Sequence, residues 1–306
     1  MTEAATNTPA PAPAHVETPF VRIAKEFVED PVAVIGLILF LLVALIAIAA
    51  PWIAPQNPYD LAQLNIMDSG LPPGEASMGT DLTYWLGTDL QGRDMLSAIM
   101  YGLRISLMVA LTSLALAITI GTIVGVTAAY FGGRIDSFIM RIVDLQLSFP
   151  AILIALILLA LLGRGVDKVI MALVIVQWAY YARTVRSSAI VERQKDYIDA
   201  ARCLAFSNRR IMFRHLLPNC IPPLIVVATV QIAQAIALEA TLSFLGVGVP
   251  ITEPSLGLLI ANGYDYLLSG RYWISLFPGI ALVVTIIAIN LVGDRLRDVL
   301  NPRLQK

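Results

Sequence analysis

Charged side chains are scarce in this sequence: only 14% of its 306 residues are Asp, Glu, Lys or Arg. Water-soluble domains carry about 25%, so a chain of this size could not coat a soluble surface. Histidine is rarer still, with only His15 and His215, and the two cysteines, Cys203 and Cys220, lack metal-ligand spacing. Metal catalysis of the Cys/His kind is excluded. Both cysteines fall in or beside segments placed below on the reducing, cytoplasmic side, so no disulfide is expected. Lysine occurs four times, as Lys25, Lys168, Lys195 and Lys306, preceded by Ala24, Asp167, Gln194 and Gln305. A phosphate-cradling Gly-Lys loop is therefore absent, and the chain does not hydrolyse ATP by that chemistry. The net charge is -1 and no basic stripe dominates, which disfavours nucleic acid as a partner. No catalytic, cofactor-binding or metal site is expected.

What the sequence has instead is apolar length. Hydrophobic residues make up 58% of it, and its mean hydropathy is +0.76. A bilayer core about 30 Å thick needs roughly 20 apolar residues in a helix. Val32 to Ala54, Ile105 to Phe131, Leu145 to Gly163, Leu216 to Leu238 and Tyr272 to Gly293 contain no charged residue. A sixth span needs the shorter run Val169 to Ala182 to extend to Ser188, with Arg183 and Arg186 snorkelling to the interface. The expected fold is an all-α integral membrane protein of six transmembrane helices. Residues 1–20, rich in Pro, Ala and Thr, read as a disordered cytoplasmic tail. Ala47-Ile48-Ala49 has the form of a signal-peptidase site, but Val32 to Ala50 is longer than an ordinary signal core and Pro51 follows at once; an uncleaved first span is favoured.

Sorting Lys and Arg by side, with a cytoplasmic amino terminus, puts sixteen of the 21 inside. Arg93, Arg104, Arg164, Lys168 and Arg271 fall outside. The positive-inside rule then places both termini in the cytoplasm. Two outer segments are long, Pro51 to Leu103 and Gly246 to Arg271, and Tyr84, Trp85, Tyr264, Tyr266, Tyr272 and Trp273 are expected there as interfacial anchors. The chain divides into the tail, a first span with its long loop (21–104), and a five-helix core (105–306) containing a cytoplasmic loop at 183–219.

That loop is longer than a turn requires. Tyr197 to Leu204 predicts a short helix with Tyr197, Ala200, Ala201 and Leu204 on one side. Ser207 and Asn208 are N-cap candidates for a second helix reaching Pro218. Physically, two readings stand: an amphipathic helix held on anionic lipid by Arg202, Arg209, Arg210 and Arg214, or a protrusion that fits a groove on a soluble partner.

The stretch Asp199 to Asn219 (DAARCLAFSNRRIMFRHLLPN) resembles the EAA loop of binding-protein-dependent ABC importer permeases. Asp199 stands at the Glu position, Ala200 and Ala201 at the alanines, Ala205 at the glycine and Pro218 at the proline. Alanine for glycine matters if that position needs a positive φ, which costs an L-residue roughly 1–2 kcal/mol. Trp85-Leu86-Gly87-Thr88-Asp89, Gly92-Arg93-Asp94, Tyr101 to Leu107, Ala237 to Gly248, Pro254 to Gly257 and Gly293 to Asp298 are similar to the dipeptide and oligopeptide subfamily, which usually has Trp where Leu256 stands. The resemblance implies a bacterial inner-membrane subunit with no cofactor of its own. Its implied partners are a second homologous permease, two ATP-binding subunits and an extracytoplasmic solute-binding protein. It also implies that Tyr197, Asp199, Ala200, Ala201, Leu204, Ala205, Phe206 and Arg209 form a coupling helix and its flank, which meet the ATPase. Solutes in the subfamily range over dipeptides, oligopeptides, glutathione and nickel complexes.

Three polar residues in the fifth span, Glu239, Gln231 and Gln234, are candidates to line a pathway, Glu239 equally suiting an interhelical hydrogen bond. Gln177, Asp144, Gln146 and Asn290 are expected as interhelical contacts, with Asp144 paired to Arg141. An ion-coupled secondary transporter is the main alternative; it would need midplane carboxylates and repeated halves, and no repeat is found. A membrane scaffold or sensor is the other.

Overall fold

The computed structural model describes residues 19–300. The expected tail lies outside the described residues except at its end, where a short helix begins. This helix, α1 (Pro19–Val28), precedes α2 (Pro31–Ile53), whose N-cap is Asp30 with Pro31 at the first helical position. The remaining helices are α3 (Met95–Phe131), α4 (Gly133–Ser148), α5 (Ala151–Leu162), α6 (Val166–Glu192), α7 (Asp196–Cys203), α8 (Asn208–Arg210), α9 (Ile221–Phe244), α10 (Leu256–Tyr264) and α11 (Trp273–Leu300). Strand is confined, among the described residues, to one two-residue pair, Glu75–Ala76 with Thr83–Tyr84. Four helical stretches are long and apolar enough to cross a membrane: α2, α3, the continuous run from Asn208 to Phe244, and α11. A fifth crossing follows if α4 and α5 count as one bent span.

Two expectations about the spans need correction. The uncharged run Leu145 to Gly163 is not a single helix, because α4 and α5 meet at a 92° bend. Pro150 is the cause: it has no N–H to donate to Gln146, and the residue before it, Phe149, is pushed to an extended φ/ψ of -94°/143°. The second span also starts earlier than the apolar run. Asp94 caps α3 by accepting from the Ser97 amide, and the helix then runs 37 residues, about 55 Å at 1.5 Å per residue, well beyond a bilayer core. The segment beyond α9, expected as an outer loop, contains the buried helix α10, capped by Ser255.

The bundle is organised around α3 and α6, which approach through two glycines one turn apart. A Cβ on Gly121 would lie 2.4 Å from the Trp178 carbonyl oxygen, and one on Gly125 would lie 2.4 Å from that of Ala182. Backbone therefore meets backbone, the small-residue contact that holds helices together where lipid offers no hydrophobic drive. Polar contacts reinforce α6. Gln146 of α4 donates to the Ile175 and Val176 carbonyls and accepts from Trp178 Nε1 at 2.8 Å, and Gln177 Nε2 donates to the Gln231 carbonyl at 3.0 Å. Both glutamines make the expected interhelical contacts. Asp144 does not pair with Arg141; it accepts from Arg183 on α6 instead. Asn290 is exposed and has no hydrogen bond to a described residue.

Residues 54–94 fold as a polar knot against the N-terminal end of α3. Asp68, fully buried, accepts from Ser77 Oγ at 2.6 Å, the Met78 amide at 2.8 Å and Tyr84 Oη at 3.0 Å. Beside it, Arg93 and Asp89 form a buried pair at 2.8 Å. Tyr84 and Trp273, expected as interfacial anchors, are buried at 2% and 7% exposure. Their polar tips explain why: Tyr84 donates to Asp68, and Trp273 Nε1 donates to the Thr88 carbonyl at 3.1 Å. Trp85, Tyr264 and Tyr272 remain exposed.

Replacing Gly121 by leucine is expected to destabilise the purified protein by at least about 2 kcal/mol, because overpacking a backbone contact cannot relax at low cost; thermal unfolding in detergent measures it. Burial alone would raise the Asp68 carboxyl, but its three donors outweigh this and hold it below the usual carboxylate range. Its contribution to the knot is thus present above about pH 4, the ordinary carboxylate value, and is lost as the pH falls through the lowered folded value. Hydrogen exchange across residues 68–94 should accelerate as the pH falls below about 4, after correction for intrinsic rates, and D68N should show the loosened state at pH 7.

Candidate functional site

The cytoplasmic-side segment predicted from residues 183–219 forms a compact knuckle. α7 covers Asp196 to Cys203, close to the expected bounds. Its inward face is Ile198 and Ala201, at 0% and 4% exposure, packed with Val185 and Ala189 of α6 and with Ile211, Met212 and Leu216. Ala201 was expected on the outward face with Tyr197, Ala200 and Leu204; the structure moves it inward. The outward residues are Tyr197 (37% exposed), Asp199, Ala200 and Leu204 (68% exposed). Asp199 pairs with Arg202 at 2.8 Å. Tyr197 anchors one edge, its hydroxyl donating to Glu192 at 2.6 Å and accepting from Asn219 at 2.9 Å. Burial and the Glu192 carboxylate push its phenol up to about 12.

The end of α7 shows what alanine does at the usual glycine position. The Phe206 amide donates to the Ala201 carbonyl at 3.2 Å and the Ala205 amide donates to the Arg202 carbonyl at 2.9 Å, the paired bonds of a Schellman cap, which needs a left-handed residue between them. Ala205 is that residue, with φ 54°, and is the only non-glycine with positive φ among the described residues. Phe206 follows and returns to the core cluster that holds Ala201. It stacks on His215, with ring centroids 5.6 Å apart, and carries the Arg210 guanidinium 4.1 Å from its centroid. Arg209 is exposed.

The second helix does not end at Pro218 as expected. α8 continues as a π turn, Ile211–Leu216, then as a 3₁₀ turn, Leu217–Cys220, and then directly into α9. Pro218, lacking an N–H, breaks the regular ladder, and the widened and tightened turns on either side absorb the register change. Pro222 and Pro223 sit in the first turn of α9, where amide donors would be unsatisfied anyway. The knuckle is tied to the bundle by Arg193 Nη1 donating to the Ala129 carbonyl at 2.7 Å and by Tyr130 donating to Asn208 at 2.8 Å.

The pathway candidates separate. Gln231 and Gln234 line an open groove along α9, seen as contiguous cavities of about 360, 460 and 550 Å³. Residues of α6 and α11 form its other wall. Glu239 is not on the groove. It is fully buried between α9 and α3, accepting from Ser106 and Ser243 hydroxyls at 2.8 Å each.

The model of the binding-protein-dependent transport system inner membrane component family matches residues 117–306. This chain belongs to that family. The model of the N-terminal transmembrane domain of oligopeptide transport permease C matches residues 18–73. A dipeptide transport system permease protein of Escherichia coli is 38% identical over 289 residues, covering 94% of this chain and 95% of its own. A di/tripeptide transport system permease protein of Pseudomonas aeruginosa is 36% identical over 300 residues, covering 98% and 97%. The fold also matches a chain of the MetNI methionine ABC transporter in an inward-facing conformation, with TM-score 0.55 at 22% identity, over 68% of this chain and 98% of that one. The protein is thus an integral inner-membrane permease subunit of an ABC importer.

Ala205→Gly is expected to relieve the strained cap and stabilise it by about 1 kcal/mol. Hydrogen exchange at the Phe206 amide should slow about fivefold, the factor that free energy corresponds to.

Proposed function

We propose that the chain moves peptides as one of two similar permease subunits, driven by two ATP-binding subunits that dock on α7. ATP is bound by those partners, and an extracytoplasmic binding protein delivers the solute. Counting α6 and the bent α4–α5 pair as crossings gives six spans, and the excess of Lys and Arg on the side of α7 supports placing both termini in the cytoplasm. Peptides are supported as the solute by the names of the relatives, which align with this chain over almost their whole length.

The observation that carries the coupling role is an exposed apolar knuckle on a rigid seat. Leu204 stands 68% exposed beside Ala200 and Tyr197, while Ile198, Ala201 and Phe206 fix α7 to the ends of α3 and α6. Lipid binding of the segment would leave it free to slide; a Schellman cap, a cation-π contact and a buried face hold it at one angle instead. A load on α7 passes through the π and 3₁₀ turns into α9, the helix that forms a wall of the groove.

Leu204→Glu is expected to abolish co-purification of the ATP-binding subunits and peptide uptake while the chain still inserts and keeps its melting temperature. Ala201→Glu, which buries a charge, should instead lower the melting temperature. Normal uptake by L204E would overturn the coupling role.

A further inference from the structure

The groove along α9 has an uneven chemistry. In its deeper part the polar groups are neutral: Gln177, Tyr180, Gln231 and Gln234. Gln177 is 2% exposed, spends its Nε2 on the Gln231 carbonyl, and leaves its buried Oε1 with no hydrogen-bond partner. A buried acceptor without a donor costs free energy, and this one belongs to the wall of a cavity. Toward the α7 end the groove meets its only charged lining residue among the described residues, Arg297, which borders both the 460 Å³ and the 550 Å³ cavities. Among the described residues no carboxylate lines any of the three, and Arg297 forms no ion pair.

We propose that this groove reads the backbone of a passing peptide, the amides of Gln231 and Gln234 taking peptide N–H and C=O groups and Arg297 drawing the terminal carboxylate toward the cytoplasmic end. This rests on the peptide-permease reading and adds to it a specificity-determining residue. Amide side chains carry both donor and acceptor, so they pair with any peptide bond whatever side chain it bears. Arg297 supplies a fixed cation with a forked donor that matches a carboxylate. Together they select for an anionic end without reading sequence.

The test uses the complete importer in vesicles, with Cys203 and Cys220 replaced by alanine, and uptake of dialanine and trialanine. Arg297→Cys should lower uptake at least fivefold. Treatment with an aminoethyl methanethiosulfonate, which restores an ammonium, should bring it back to within twofold; the sulfonatoethyl reagent, of similar size and opposite charge, should not. If R297C fails to assemble, R297Q against R297K makes the same comparison, with lysine retaining uptake. Unchanged uptake, or equal rescue by both reagents, overturns the proposal. A phospholipid phosphate offers the same anionic chemistry, so the comparison is repeated in phosphatidylcholine vesicles with and without phosphatidylglycerol. An effect confined to the anionic vesicles assigns Arg297 to lipid and also overturns it. If the parent importer takes up neither peptide, the reading of the chain as a peptide permease fails instead.

Discussion

Hydrocarbon offers no hydrogen bonds, so every peptide group inside a bilayer must find its partner within the protein. That constraint makes the chain helical through its apolar length and gives its few interruptions meaning. Two of those interruptions sit at prolines. The bend between α4 and α5 falls at Pro150. The π and 3₁₀ turns ahead of α9 flank Pro218. The buried turn before α10 is held by Ser255, which caps α10 from a fully buried position. The regular parts hold the molecule together, with α3 and α6 in backbone contact at Gly121 and Gly125.

Much of this is written in the sequence, because hydrophobic length and charge scarcity act over tens of residues. Most span positions follow from uncharged runs alone. α7 follows from a different signal, the spacing around Tyr197 to Leu204, which reproduces its bounds closely, and the alanine-for-glycine exchange at Ala205 turns out to mark a strained left-handed residue. What composition hides is tertiary. An uncharged run does not reveal a bend when its proline is followed by more apolar residues, as Pro150 is. Ala201 lies three residues from both Ile198 and Leu204, so spacing alone assigns it to either face, and only packing against α6 decides. Asp144 has a cation one turn away in Arg141, yet its partner comes from another helix. Tyr84 and Trp273 resemble interfacial anchors until the carboxylate and carbonyl that take their polar tips are seen.

The site residues divide in the same way. The helix α7 and its flank were legible because a contiguous motif carries them. The groove was not, because its wall draws on α6, α9 and α11, and Arg297 reads in sequence as one more cytoplasmic cation among sixteen. Its signal is negative and spatial: a cation that, among the described residues, has no ion pair and ends a surface whose other polar groups are neutral.

The two ends of α9 are built differently, and the difference bears on how force would travel along it. Near its C-terminal end Glu239 is locked into α3 by Ser106 and into its own helix by Ser243. A carboxyl at 0% exposure in that position gains nothing from water and would be costly facing lipid, so moving it away from the Ser106 hydroxyl is penalised. At the other end α9 has no comparable buried side-chain lock and begins in π and 3₁₀ turns, whose hydrogen bonds are weaker and whose register is already shifted. A helix pinned by polar contacts at one end and joined through irregular turns at the other yields first at the irregular end. Displacement of the knuckle would therefore be felt most where Val226, Val227 and Arg297 border the groove, and least around Glu239.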